Sequence, residues 1–391
     1  MAIQNKNHLP LLTSLRGVAA LLVVIYHAKH QFPVLFDQVA KYTHIFKQGY
    51  LWVDFFFILS GFILSYVYGK RFLGGLKKKD YSRFLVARLA RIYPLHFVML
   101  MVYLFMELSK YWMGFNHLEN PIFNPENRSG LQFVSSLWLV QSANLHETAV
   151  WNAPAWSISA EWFAYLLFPL AAAKVLRASP RSAIILFATS IAALGALIAW
   201  HGDLNIFYDL AVPRSWLGCL MGMCLYRICQ THTLNCLNSG KITWLTLLFC
   251  CAIMSLPRWW GYELLAILSL AMLVLVASKC SGKIFLLNSK PMMYLGEISY
   301  SIYLTHGFLL IMLYNFIHKG LGYAQGGASM GLLESLLWCI GVLIISVVIS
   351  GITYRLIELK GKALIIRKTR HWFAHDSSPI PSDTKKSSQA A

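Results

Sequence analysis

The sequence predicts an all-α integral membrane protein of about ten transmembrane helices, with the N- and C-termini both cytoplasmic. Three observations carry that prediction. Of 391 residues, 57% are hydrophobic and only 13% are charged, whereas a soluble domain carries about 25% charged residues. Apolar segments close to the ~20 residues that cross a bilayer recur along the chain, and the mean hydropathy is +0.55. Finally, the 34 Lys and Arg behind the net charge of +18 gather between those segments. Membrane topology places basic residues that way; a nucleic-acid partner is therefore not expected, and the lipid bilayer is.

The expected spans are about 11–30, 50–68, 89–108, 156–173, 183–200, 206–226, 242–256, 262–278, 292–316 and 332–354. With the N-terminus inside, the inner loops collect Lys70, Arg71, Lys77, Lys78, Lys79, Arg83, Arg88 and Arg91, then Lys174, Arg177 and Arg181, then Lys279, Lys283 and Lys290. The outer loops hold scattered basic residues such as Lys41, Lys47, Arg128, Arg258 and Lys319. Residues 131–142 are apolar but too short to cross, so a re-entrant or interfacial piece is expected there. The outer loop from about Lys110 to Ala155 carries Trp112, Asn116, His117, Asn120, Asn124, Trp151 and Asn152. Such a loop either contacts a polar acceptor or is simply solvated. Residues 1–372 read as one membrane domain, and 373–391 as a cytoplasmic Ser/Pro/Lys-rich tail expected to be disordered. The first apolar run holds Arg16 and His27 and lacks a small-residue cleavage site, so it is expected to stay as a helix. The eight cysteines show no CxxC pairing, so neither a metal site nor a disulfide framework is expected.

Charged residues inside spans are costly, and each needs a partner, a wet cavity or a task. In the first span Arg16 and His27 lie eleven residues apart, which puts them on one helix face ~16.5 Å apart. The bland alternative is that Arg16 snorkels to the headgroups. Asp54 opens the second span among Phe55, Phe56 and Phe57, at the depth expected for His27, where a His–Asp pair would orient the imidazole. It equally suits the start of a helix as a cap. Ser60, Gly61 and Ser65 read as small residues for close packing. Arg88 and Arg91 are helix neighbours whose guanidiniums suit phosphates, although a cytoplasmic flank contains such arginines anyway. Glu161 lies between Trp156 and Trp162 at the outer end of the fourth span, placed to tune a histidine, to bind sugar hydroxyls, or merely to cap an interfacial helix. Arg214 is a counter-ion for Asp54 or for Glu161. Ser299, Tyr300, Ser301, Tyr303, Thr305 and His306 read as the polar wall of a cavity, and Tyr354, Arg355 and Glu358 as a local ion pair closing the last span.

The order of these pieces is more specific than any one of them. Leu15-Arg16-Gly17 followed by His27, then Asp54-Phe55-Phe56 running into Leu59-Ser60-Gly61-Phe62, resembles the opening of the acyltransferase family 3 membrane proteins. Arg88-Leu-Ala-Arg91-Ile-Tyr93-Pro94, Trp156-Ser157-Ile158-Ser159-Ala160-Glu161-Trp162 and Ser299 through His306 resemble its later motifs. The resemblance covers residues 11 to about 358. Glu358 is followed by Leu359-Lys360 where the family often has a proline, which touches the helix exit and not the chemistry.

The resemblance implies a bacterial inner-membrane O-acyltransferase. It would move an acyl group, acetyl in the usual case, from cytoplasmic acyl-CoA to a hydroxyl of a surface or secreted carbohydrate or lipid-linked glycan. Acetyl-CoA enters as co-substrate, no cofactor is permanently bound, and one-module catalysis is expected. In the combined reading His27, oriented by Asp54 or Glu161, takes the hydroxyl proton. Arg88 and Arg91 hold the CoA phosphates, Arg16 lines the passage, and Tyr300, Ser301 or Arg214 donate to the oxyanion. Trp156 and His306 complete the donor and acceptor surface, with His306 the rival base. A two-step route through an acylated His or Ser stays open. Two other functions use the same charges: a proton-coupled carrier or glycan flippase, and an acyltransferase whose acceptor is cytoplasmic.

Overall fold

A computed structural model describes residues 9–113, 126, 128–148, 150–230, 232–259, 261–280, 284, 286–323 and 329–373. The expected tail from 374 onward and the outer-loop residues Asn116, His117, Asn120 and Asn124 lie outside that set. Among the described residues every regular element is a helix. In order it forms α1 (Pro10–Ala28), α2 (Pro33–Val39), α3 (Trp52–Phe72), α4 (Lys78–Trp112), α5 (Gly130–Leu137), α6 (Trp156–Arg177) and α7 (Pro180–His201). Then follow α8 (Ala211–Cys229), α9 (Gly240–Ser255), α10 (Tyr262–Lys279), α11 (Lys290–Glu297), α12 (Ser299–Asn315), α13 (Leu332–Thr353) and α14 (Lys360–Thr369).

Local sequence accounts for several boundaries. Ser129 caps α5 through a reciprocal box with Gln132, Ser179 caps α7 ahead of Pro180, and Ser289 caps α11 ahead of Pro291. Each hydroxyl satisfies a backbone N–H that the first helical turn leaves unpaired. Gly202 ends α7 at φ +97°, a left-handed stop that other residues adopt at a cost.

Among the described residues, eight helical segments are long and apolar enough to cross a membrane. The remaining two expected spans coincide with α8, whose Arg214 and Arg227 lower its hydropathy, and with α9, only 16 residues long. Residues 131–142 form no span: α5 has eight residues, ~12 Å of helix, and His96 of α4 ties it down at the Ser136 carbonyl (2.8 Å). The last span does not stop after Glu358. A π-helical turn over Tyr354–Leu359 leads straight into α14.

At the centre lies α3, packed against α8, α6, α10 and α1. Glycine makes the α3–α8 contact close. A Cβ on Gly222 would enter the Ile58 carbonyl and one on Gly61 the Cys219 carbonyl, while one on Gly218 would sit 2.8 Å from Phe57 Cβ. Gly17 and Gly296 bring α1 onto α11 in the same way. Around this core, α7, α9 and α13 present Ile184, Ile185, Leu245, Leu248, Leu337, Ile344 and Val348 outward. An apolar exterior on closed helices is what lipid selects, because helices satisfy their own backbone polar groups. This is a multi-pass membrane protein.

Candidate functional site

The spacing along α1 places Arg16 toward its N-terminal end and His27 at its C-terminal end. The structure surrounds the two with different chemistry. Arg16 lines a cavity of about 150 Å³ together with Ser60, Arg88, Arg91, Glu161, Tyr165, Ser299, Tyr300 and Tyr303. Three guanidiniums and one carboxylate thus face one space between α1, α3, α4, α6 and α12. Arg16 Nη2 donates to Ser299 Oγ (3.1 Å), and Ser60 Oγ donates to Glu161 Oε1 (2.6 Å).

Arg88 and Arg91 share the cavity but differ in what holds them. Arg88 Nη2 donates to the Tyr68 hydroxyl (2.7 Å), its guanidinium lies 4.9 Å from the Tyr68 ring, and its buried Nε has no hydrogen-bond partner. Arg91 is ion-paired with Glu358, a fully buried carboxylate that also accepts from Ser301 Oγ (2.9 Å). The sequence reading treated Glu358 as a local partner of Arg355; the fold takes it across to α4. Ser301 is consequently tied to that pair and is not among the cavity-lining residues. The Tyr300 ring lines the cavity, but its hydroxyl donates to the Ile92 carbonyl, which removes it as an oxyanion donor.

Of the two partners expected for Asp54, the structure gives it Arg214 and not His27. Arg214 donates to it through Nε (2.9 Å to Oδ1) and Nη2 (2.6 Å to Oδ2). Arg214 also donates to the Ile206 carbonyl at 2.8 Å and the Tyr50 carbonyl at 3.3 Å. Both side chains are buried, with Arg214 5.5 Å from the Trp156 ring. Asp54, Arg214 and Trp156 therefore form a knot joining α3, α8 and α6. A buried fork-to-fork pair answers the charge of each member, and neither is left to orient His27 or to meet an oxyanion.

His27 instead meets His306. Their rings are 4.9 Å apart, with His306 Nε2 3.3 Å from His27 Nδ1. His27 Nδ1 also lies 2.9 Å from the Val23 carbonyl. His306 is completely buried and hydrogen-bonds the Tyr303 carbonyl through Nδ1. Tyr303 stands between this pair and the cavity. Its ring packs on Phe56 (6.1 Å) and on His306 (5.7 Å), and its hydroxyl accepts from Ser157 Oγ at 2.7 Å. Glu161, expected at the depth of His27, lies among the cavity arginines, because five residues into α6 it has already moved ~7.5 Å along the axis.

Three contributors escaped the sequence reading. Ser60 was read as packing, Tyr68 and Tyr165 not at all. Helical spacing was the available signal: Ser60, Leu64 and Tyr68 repeat every four residues, as do Glu161 and Tyr165.

The site sets a cavity lined by three arginines and one glutamate beside a histidine pair, within a bundle of membrane-spanning helices. The chain belongs to acyltransferase family 3: residues 11–355 match the family described as an acyltransferase domain. It is 25% identical over 347 residues to the O-acetyltransferase OatA of Staphylococcus aureus, covering 81% of this chain and 53% of that protein. It is 26% identical over 374 residues to the acyltransferase MdmB of Streptomyces mycarofaciens, covering 90% of each. A third relative, protein 2 in the picA locus of Rhizobium radiobacter, is 43% identical over 86 residues, covering 22% of this chain and 39% of that protein. The chain spans about half the length of the O-acetyltransferase relatives it matches. No solved structure matches it.

Proposed function

We propose that this protein is an O-acyltransferase of the bacterial inner membrane that moves acetyl from cytoplasmic acetyl-CoA to a hydroxyl of a cell-surface or secreted carbohydrate. The observation that carries the reading is the placement of an arginine-lined cavity directly behind a histidine pair. Family membership favours group transfer over the carrier reading, and the O-acetyltransferase name of one relative favours acetyl to oxygen.

In this reading the donor enters from the end of the bundle where Arg88 and Arg91 lie. Arg88, with its unpartnered Nε, meets a CoA phosphate, and Arg91 is held in register by Glu358. The pantetheine arm passes Arg16 and Ser60 toward Tyr303. Tyr303 accepts from Ser157, which leaves its own proton for the thioester oxygen. His27 takes the proton of the acceptor hydroxyl as that oxygen attacks the thioester carbonyl. The C–S bond breaks, an ester forms, and the proton returns to the CoA thiolate. Glu161 accepts from Ser60 and balances part of the arginine charge in the cavity.

The test uses sealed vesicles with the protein oriented as in the cell and [14C-acetyl]-CoA supplied at the cytoplasmic face. Label in a carbohydrate hydroxyl ester on the far side is expected, and His27→Ala should lose it by about 10²–10⁴-fold while still binding acetyl-CoA. Label that stays in CoA, or that appears on a cytoplasmic acceptor, would overturn the proposal.

A further inference from the structure

We propose that His306 is the positioning partner of His27. It would hold the base as the Nδ1–H tautomer and take up its charge when the base is protonated. The proposal rests on the reading of His27 as the base.

The proton positions follow from the acceptors. A backbone carbonyl only accepts, so His306 Nδ1, facing the Tyr303 carbonyl, carries a hydrogen. In the neutral ring Nε2 then holds the lone pair. That atom and the Val23 carbonyl both face His27 Nδ1, at 3.3 Å and 2.9 Å. One nitrogen between two acceptors must be N–H. The lone pair of His27 is therefore on Nε2, the atom that takes the hydroxyl proton. Which nitrogen of a catalytic histidine is protonated is set by the hydrogen bond the other one makes.

A carboxylate often does this positioning, and here Asp54 is committed to Arg214. A neutral imidazole does it without placing an uncompensated charge in the resting membrane interior. The Val23 carbonyl shares in fixing the tautomer at rest, but it cannot accept a proton. His306 can. When His27 Nε2 gains the hydroxyl proton, the ring has two N–H groups, and Nδ1–H donates to His306 Nε2. Transfer of that proton leaves His27 neutral and His306 cationic, donating from Nδ1 to Tyr303 and from Nε2 back to His27. The reverse transfer restores the His27 cation, which protonates the CoA thiolate. No proton is lost and no further reactant enters.

Two substitutions separate this role from packing. In His306→Gln the amide oxygen keeps an acceptor near the Nε2 position, whereas His306→Phe removes it at similar bulk. For the full-length protein in nanodiscs, His306→Phe should lower kcat by about 10²-fold with the KM for acetyl-CoA within about twofold, and His306→Gln should recover about tenfold of that loss. Long-range 1H–15N spectra of 15N-histidine protein, assigned by difference with His27→Gln, should show His27 as the Nδ1–H tautomer in the wild-type chain. A wild-type His27 in the Nε2–H form would overturn the proposal without any variant having to fold. So would wild-type kcat in His306→Phe, or a Gln variant no better than Phe. Persisting turnover in His27→Ala would instead sink the base assignment itself, so the two failures read differently.

Discussion

Of the buried charges, three pairs separate on whether the partner is charged and whether the pair reaches the cavity. Asp54 and Arg214 are enclosed together, so removing either leaves an uncompensated charge in the core. Asp54→Ala should lower stability by about 3–5 kcal/mol, read as a depressed melting temperature, and most of its lost activity should follow lost fold. The double variant Asp54→Leu with Arg214→Met should recover much of the melting temperature. Arg91 and Glu358 differ because Arg91 also lines the cavity. Arg91→Ala should hurt both stability and donor binding, with Glu358→Gln rescuing the stability alone. Arg88 leans on a neutral Tyr68, so Arg88→Ala should leave melting nearly unchanged. It should weaken CoA binding by about 1–3 kcal/mol in a titration of CoA analogues. Unchanged CoA affinity in Arg88→Ala would return that arginine to a topological role. The sequence named Arg16, Asp54, Arg88, Arg91, Glu161 and Arg214 because charge in an apolar run is conspicuous. It left Asp54 between His27 and Arg214 and mispaired Glu358, because partners 160 and 267 residues apart are chosen by helix packing, which periodicity in one helix does not encode.

Within single elements, hydropathy and breakers read well and small residues read best of all. Ser60, Gly61 and Ser65 marked α3 as a close-packing helix, and Gly218 and Gly222 on α8 pack against it. Ser60 is the exception, since its hydroxyl turns into the cavity to Glu161. Gly222→Ala would drive a methyl into the Ile58 carbonyl, so α3 and α8 must separate or one must bend. Because α3 also carries Asp54 and Ser60, the variant should cost about 1–3 kcal/mol of stability and displace both site residues. Melting temperature and acetyl-CoA affinity should fall together; a melting temperature equal to wild type would show that the interface has slack. The last span was misjudged at its exit, because the missing proline after Glu358 lets the helix run on. Pro94 instead lies inside α4, and a Cβ on Gly361 of α14 would run into its ring. That glycine lets the two helices meet where Arg91 and Glu358 join.

For the whole molecule, the direction of chemistry depends on which end of the bundle faces the cytoplasm. The helices alternate, so one basic loop fixes every other. Lys70 and Arg71 end α3, and Lys78 and Lys79 begin α4, with Asp80 3.7 Å from Arg71 across the connection. Lys174 and Arg177 end α6, Arg181 follows at the start of α7, and Lys279 closes α10. These termini belong to the same end as the N-terminus of α1, the end nearer Arg16. The opposite end holds His27 and the start of α3. Basic loops stay inside because moving them across the membrane is opposed during insertion, so a reporter at Lys79 should be cytoplasmic. Asn120 and Pro379 lie outside the described residues, and from the basic-residue bias of the sequence reporters there are expected to be external and cytoplasmic respectively. Cysteine labelling with a membrane-impermeant maleimide on intact cells, in a chain freed of its native thiols, checks all three. Labelling at Lys79 but not near Asn120 would invert the molecule. It would put His27 on the cytoplasmic side, bring the acceptor to the same face as CoA, and replace transfer across the membrane by transfer within one compartment.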